Sequence, residues 1–202
     1  MTLQPYNPSS IVVSDDEIEH DPLDQADYEA IISYFARTRH AEWLLLTRIL
    51  RATGLREAEV MRLTTSLVEH NGPETHLLVI RGKQRLKDGK RPKYERVALL
   101  YSVAMELDAY IASHRLPPEW PIFQHKARAY QYAFNKACLA ATGSAHHPHE
   151  LRGLYCVDLL EQGQPLAVVS KMLGHSSEAT TLKYYNRLTS KQRNQINQGV
   201  RA

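Results

Sequence analysis

A chain of 202 residues with 43% hydrophobic content can bury one good core but is too short for two full-sized domains. No apolar run approaches the roughly 20 residues of a membrane-spanning helix, and the start, MTLQPYNPSS, lacks the basic and apolar regions of a signal peptide. We therefore expect a soluble intracellular protein. Cys138 and Cys156 lie in helix-like segments without metal-ligand spacing, which predicts reduced thiols in the core.

Charge is distributed unevenly along the chain, whose formal net charge is +3. Residues 1–24 hold six acids and no Lys or Arg, so residues 25–202 carry +9. The basic excess is greatest in RGKQRLKDGKRPKYER (81–96), which has eight Lys or Arg and two acids. A positive body suits a polyanion such as nucleic acid, but a solvated basic hairpin fits the charge equally well.

The first predicted elements are helices that follow an acidic arm. The arm, residues 1–21, has the composition of a poorly ordered segment. Asp24 is a suitable N-cap for the first helix. The stretch AEWLLLTRILRAT (41–53) predicts a central helix that ends at Gly54 in a left-handed conformation. A short third helix, REAEVMRL (56–63), follows directly.

The hydrophobic period then changes from that of helices to that of strands. THLLVIRG (75–82) and YERVALL (94–100) predict two antiparallel strands with a long basic hairpin tip, preceded by a short strand at SLVE (66–69). Further helices are predicted at SVAMELDAYIASH, KARAYQYAFNKACLAAT, HELRGLYCVDLLEQG, PLAVVSKML and EATTLKYY. The predicted fold class is α+β, a mostly helical domain with a small antiparallel three-stranded sheet as an insert.

Two pairs of polar residues stand out against this pattern. Arg56 follows a glycine turn, where it is either a surface residue or a group directed at an anion, and Glu59 is placed to pair with it or orient it. In HPHELRG (147–153) the proline fits the first turn of a helix, so His149 and Arg152 share one face. Together they suit an anionic oxygen; alternatively, the histidine caps the helix and the arginine is solvated.

A further histidine and two tyrosines follow in the sequence. His175 comes after the helix-ending glycine of LGH (173–175), and Tyr184 comes nine residues later. Its neighbour Tyr185 points about 100° away on a helix, so only one of the two tyrosines can be the chemical group. The histidine-rich HHPH (146–149) could suggest a metal site, but no Cys or carboxylate has partner spacing, so we expect none.

Together and in this order, these features resemble the catalytic domain of the tyrosine recombinases, the DNA integrase family. The motifs that carry the resemblance are ATGLREAE (52–59), GK (82–83), HELR (149–152), LGH (173–175) and Tyr184. The resemblance covers residues 22–190 and leaves 191–202 as a tail that could dock on a neighbouring protomer. Two departures from the family pattern are expected: Gly153 stands where many members have a second histidine, and residues 1–24 are too short and too acidic to form the separate N-terminal domain that closes a clamp around DNA.

The resemblance implies DNA cleavage and rejoining through a 3′-phosphotyrosyl intermediate. Its spacing from His175 selects Tyr184 over Tyr185 as the nucleophile. Arg56 and Arg152 would stabilise the transition state, with hydrogen bonds from the histidines of the motifs, and Lys83 would be the general acid. The DNA-backbone contacts would be Arg81, Arg85, Lys87, Lys90, Arg91 and Lys93.

The resemblance also implies partners. It predicts double-stranded DNA, four protomers on two paired sites, a monomer or weak oligomer without DNA, and no cofactor. The expected location is the cytoplasm, at the nucleoid, in a bacterium or with a mobile element. Two alternatives stay open: a non-catalytic DNA-binding accessory protein, and a type IB topoisomerase-like nicking-closing enzyme. The chain is expected to be a naturally short recombinase or an excised catalytic domain, and its acidic arm either is solvated or competes with DNA.

Overall fold

Helices make up more than half of the residues that the computed structural model describes, which are residues 22–81, 93–175 and 177–181. In chain order the elements are α1 (Gln25–Arg37), α2 (Ala41–Thr53), α3 (Glu57–Val60), β1 (Val68–Asn71), β2 (Glu74–Val79), β3 (Glu95–Leu99), α4 (Tyr101–His114), α5 (Ala127–Thr142), α6 (His149–Glu161) and α7 (Leu166–Leu173). A 3₁₀ turn, Thr65–Leu67, precedes β1. The predicted fold class is confirmed.

The two N-terminal helices begin and end where local sequence signals place them. Asp24 caps α1: its carboxylate accepts from the Asp27 N–H at 2.9 Å, and the Asp27 carboxylate accepts from the Asp24 N–H at 3.2 Å. The α2 helix has the predicted bounds and ends at Gly54, whose φ of 62° lies in the left-handed region. Both predictions are confirmed.

The sheet is antiparallel in the order β1–β2–β3. On β2 the side chains of Thr75, Leu77 and Val79 are buried and alternate with less buried ones, because successive side chains of a strand point to opposite faces. The short strand predicted at 66–69 is present as β1 but begins two residues later, because residues 66–67 belong to the 3₁₀ turn. The predicted strand 75–82 ends earlier, at Val79.

The α2 helix lies at the centre of the core, as its nearly apolar sequence predicts. Its buried residues are Trp43, Leu45, Leu46, Thr47, Ile49, Leu50 and Thr53. It packs against α1, α4, α5 and α6, so the residues that follow its end are surrounded by later parts of the chain. The two cysteines are buried and free, as predicted, and burial raises the pKa of Cys138 to about 12 and that of Cys156 to about 11.

Several predictions fall on parts of the chain outside the described residues. They concern the arm at 1–21, the hairpin tip at 82–92 and the tail at 191–202. Of the predicted last helix, residues 178–181 are helical in the structure and the remainder is outside the description. Within the described ranges, no helix combines the length and the apolar character needed to cross a membrane.

Candidate functional site

The turn after α2 places Arg56 at the start of α3. Glu59 holds this arginine twice: its carboxylate accepts from the Arg56 backbone N–H at 2.9 Å and from Nη1 at 3.1 Å. The Glu59 side chain is only 2% exposed, whereas about a third of the Arg56 side chain faces solvent. Arg56 Nη2 also donates to the carbonyl of Gly174 at 3.4 Å. A buried carboxylate therefore orients a partly exposed guanidinium.

Gly54 allows later elements to approach this turn closely. A Cβ atom at this position would lie 2.3 Å from Cδ1 of Tyr155 and 2.8 Å from Cδ2 of Leu173. These distances are far below van der Waals contact, and the positive φ adds strain for any other residue. The absence of a side chain thus lets α6 and α7 pack directly on the Arg56 turn.

Arg152 joins the three segments of the site. It is 1% exposed and is one of the largest fully buried side chains. Its Nη1 donates to the carbonyl of Gly54 at 2.6 Å, and its Nη2 donates to the carbonyl of Leu173. A buried charge is costly unless it is hydrogen-bonded, and these two carbonyl dipoles both solvate the guanidinium and fix its plane. Arg152 therefore ties α6 to the end of α2 and the end of α7.

His149 is the first residue of α6 and stays partly exposed. Its pKa is lowered by partial burial and then by the nearby positive charges of Arg152, His147 and Arg56, while Glu150 acts in the opposite direction. His149 and Arg152 are three residues apart on α6, so they lie on the same face of that helix. The lowered pKa favours a neutral imidazole at neutral pH.

His175 follows α7 and lies in the same cluster. Burial, followed by the charges of Arg152, Arg56 and His149, lowers its pKa to about 4. Its Nδ1 is 2.8 Å from Oγ1 of Thr181. The structure thus brings four predicted site residues together from three separate stretches of sequence.

Thr181 is a site residue that the sequence analysis missed. It is fully buried, and its carbonyl oxygen lies 4.0 Å from Sγ of Cys156 on α6. Its contacts with His175 and α6 anchor the helical residues 178–181 beside the cluster. Tyr184, the predicted nucleophile, comes three residues later and lies outside the described residues. The available sequence signal was the position of Thr181, which lies between the motif residues His175 and Tyr184.

The predicted basic contacts fall into two groups. Lys83, the predicted general acid, lies outside the described residues, as do the predicted backbone contacts Arg85, Lys87, Lys90 and Arg91. Lys93 is exposed, which leaves it accessible to a polyanion. The Arg81 side chain is 14% exposed and binds Glu95 and the carbonyl of Met172. Its predicted role as a DNA-backbone contact stays untested, but its donors are directed at protein groups.

A set of hydrogen bonds to Glu150, which we call the polar latch, fixes the first turn of α6. The Glu150 carboxylate accepts from the backbone N–H of Leu23 at 3.0 Å and from that of His147 at 2.8 Å, and lies 3.1 Å from Nδ1 of the buried His146. Burial alone would raise the pKa of Glu150, but the hydrogen bonds from His146, His147 and Leu23 outweigh it and lower the pKa to about 2. The latch fastens the chain before α1 to the helix that carries His149.

Glu150→Gln is expected to lower the free energy of unfolding by about 1–2 kcal/mol at pH 7, less than the full pKa shift implies because the side chain is 31% exposed. The folded-state pKa is depressed, so this stability is present above about pH 4.5 and is lost as the pH falls towards 2. Urea denaturation between pH 7 and pH 3 measures it. The difference in the free energy of unfolding between wild type and Glu150→Gln should become smaller below pH 4.5. Glu119→Gln, at an exposed acid, is the control. A difference that stays constant from pH 7 to pH 3 would contradict the stabilising role of the ionised Glu150.

Comparison with known proteins identifies the family of this arrangement. The phage integrase family matches residues 22–192, a range that contains the Arg56 turn, α6 and the LGH motif. This chain belongs to the phage integrase family. The predicted resemblance is confirmed, since the relatives and the structural neighbours are tyrosine recombinases.

The relatives include two proteins named tyrosine recombinase XerC. The one from Lacticaseibacillus casei is 28% identical over 191 residues, which cover 82% of this chain and 59% of the relative. The one from Bradyrhizobium diazoefficiens is 32% identical over 146 residues, which cover 67% of this chain and 43% of the relative. This chain therefore spans less than two thirds of the length of either relative.

Solved structures share the fold at lower sequence identity. The crystal structure of XerA recombinase superposes with a TM-score of 0.65 and 17% identity, covering 96% of this chain and 66% of that one. XerH recombinase bound to its difH substrate superposes with a TM-score of 0.63 and 20% identity, covering 85% of this chain and 53% of that one. Both show a common fold for the described core.

Proposed function

We propose that the protein is a site-specific DNA recombinase that cleaves and rejoins DNA strands through a 3′-phosphotyrosyl intermediate. The observation that carries this proposal is the convergence of Arg56, His149, Arg152 and His175 from three separate segments. Two guanidiniums and two imidazoles form a positive, hydrogen-bonding site for one phosphate. Membership of the phage integrase family and the recombinase relatives support the same activity.

The two arginines suit the charge that develops during phosphoryl transfer. A phosphodiester carries one negative charge, and its five-coordinate transition state carries nearly two. Glu59 and the carbonyls of Gly54 and Leu173 fix both guanidiniums in advance. A preorganised positive site stabilises the transition state more than the ground state, because its donors need no reorganisation during the reaction.

Tyr184 would supply the attacking oxygen. Its Oη forms a bond to phosphorus as the bond from phosphorus to O5′ breaks, which leaves a 3′-phosphotyrosine and a 5′-hydroxyl. A free phenol has a pKa of about 10, so its proton needs an acceptor. His175 is neutral at pH 7, because its pKa is lowered to about 4, so it would donate a hydrogen bond to the phosphate or, once the negative charge of the transition state raises its basicity, accept that proton.

The remaining predicted residues complete the reaction and the binding of DNA. Lys83 would protonate the leaving O5′. The exposed Lys93 and its basic neighbours in the 82–92 segment would bind the DNA backbone. Double-stranded DNA is the proposed partner, with four protomers assembled on two paired sites. The reaction conserves the bond energy in the tyrosyl ester, so rejoining requires no nucleotide cofactor.

Covalent capture of DNA tests the proposal and recovers the target site in the same experiment. The protein is incubated with duplexes whose central region is randomised and whose cleaved strand is nicked near each candidate phosphate. Loss of the short 5′-hydroxyl fragment prevents rejoining and traps the adduct. We expect complexes that resist SDS, and sequencing of their DNA should yield a common site. If the protein binds the nicked duplexes but forms no covalent complex with any of them, the accessory-protein alternative is favoured.

A further inference from the structure

Three arginines bind the C-terminal end of α7. The last carbonyls of a helix have no partner within the helix and carry its negative dipole end. Arg81 Nη2 donates to the carbonyl oxygen of Met172 at 2.7 Å, and Arg152 Nη2 donates to that of Leu173. Arg56 Nη2 donates to the carbonyl oxygen of Gly174 at 3.4 Å. Successive carbonyls are therefore held by one arginine each, directly before His175.

Arg81 is the member of this group that no motif of the site includes. It lies two residues after the end of β2, and its Nε and Nη2 donate to the two carboxylate oxygens of Glu95 on β3, both at 3.1 Å. Its Nη1 lies 3.6 Å from the carboxylate of Glu59, the residue that holds Arg56. One side chain thus links the sheet to the Arg56 turn and to the end of α7.

We propose that Arg81 is a positioning residue for strand cleavage: it fixes the end of α7, and therefore His175, relative to Arg56 and Glu59. The proposal rests on the proposed function of the site. Misplacement of a reacting group by about 1 Å can lower a rate about 100-fold, so a residue that sets this distance affects chemistry without touching DNA. This role differs from the DNA-backbone contact that the sequence predicts for Arg81.

The two roles have different salt dependences. A residue that neutralises a phosphate releases a counterion from the DNA. Removing such a residue makes the negative slope of log K for DNA binding against log salt concentration shallower by about 1. The Nε, Nη1 and Nη2 of Arg81 all face protein acceptors, and its side chain is 14% exposed. Arg81→Gln should therefore leave the salt slope of DNA binding unchanged. It should lower the single-turnover cleavage rate at saturating DNA about 10–100-fold.

Arg96→Gln is the matched control. Arg96 lies on β3 next to Glu95, points to the opposite face of the sheet from Glu95, and pairs with Glu69 at 3.1 Å. Its side chain is 54% exposed, and its substitution removes one positive charge and one ion pair from the same sheet. We expect cleavage by Arg96→Gln within about twofold of wild type. If Arg81→Gln unfolds below the assay temperature, Arg81→Lys, which keeps the charge but not the planar fork, provides the same comparison.

The outcomes separate the inference from the proposed function. Wild-type cleavage by Arg81→Gln at saturating DNA, or a salt slope reduced by about 1, would overturn the positioning role. If the wild type binds DNA without forming an adduct, the proposed function fails, and the side-chain ¹⁵N resonances of His175 then test Arg81 alone. A change in these resonances in Arg81→Gln but not in Arg96→Gln supports positioning, and unchanged resonances contradict it.

Discussion

Arg152→Lys is expected to lower the single-turnover rate of strand cleavage by about 100–1,000-fold. Arg152 is 1% exposed, and its guanidinium donates to the carbonyls of Gly54 and Leu173, which belong to two different segments of the site. A lysine ammonium is a point charge and cannot reproduce the planar fork that spans both carbonyls. The substitution therefore loosens the geometry of the site, and in the proposed mechanism it also weakens the stabilisation of the transition state.

The same substitution is expected to lower the free energy of unfolding by about 2–4 kcal/mol, because a buried carbonyl loses its donor and the core loses packing. Arg48→Lys is the matched control: Arg48 lies on α2, pairs with Glu106 on α4 and is absent from the cluster. Rapid-quench assays on the captured DNA site give the rates, and urea denaturation gives the stabilities. Cleavage by Arg152→Lys within tenfold of wild type would contradict the role of Arg152.

Tyr184→Phe is expected to abolish the covalent adduct entirely, while Tyr185→Phe retains it within about threefold of wild type. Both substitutions remove one hydroxyl, from adjacent positions, so the two variants are matched in the size of the change. Complete loss of the adduct is expected only when the nucleophile is removed, because no other group of the proposed site forms the phosphate ester. SDS gel electrophoresis of labelled DNA measures the adduct.

Two checks accompany this pair. Equal DNA binding by both variants shows that the surface for the duplex is intact. Loss of the adduct in Tyr185→Phe with retention in Tyr184→Phe would reverse the assignment, because the nine-residue spacing from His175 is what selects Tyr184.

The sequence predicts the helices well because their signals are local. Asp24 as an N-cap, and Gly54 as a left-handed stop after α2, each require only a few neighbouring residues. The strand ends were less accurate: the predicted strand 75–82 ends at Val79 in the structure. The apolar pattern continues to Ile80, one residue past the last residue of β2. The length of β2 depends on its pairing with β3, a strand that is distant in sequence.

The site was predictable as a set of residue types in order, but not as a geometry. Nothing near Arg152 indicates that its guanidinium would be buried against the carbonyl of Gly54, 98 residues earlier. The contact of Arg81 with Met172 spans 91 residues, and in the sequence Arg81 is simply one of many basic residues in the hairpin. Such contacts arise from packing of α6 and α7 on the end of α2, which no local pattern encodes.

Mass spectrometry of the captured adduct tests the central claim most directly. After nuclease and protease digestion, a nucleotide phosphate should remain on one residue of the peptide that contains Tyr184 and Tyr185. The account predicts a phosphodiester between the Tyr184 hydroxyl and the 3′ end of the cleaved strand, with a free 5′-hydroxyl on the released fragment. Attachment at Tyr185 or at any other residue, or a phosphate left on the 5′ end of the fragment, would contradict it.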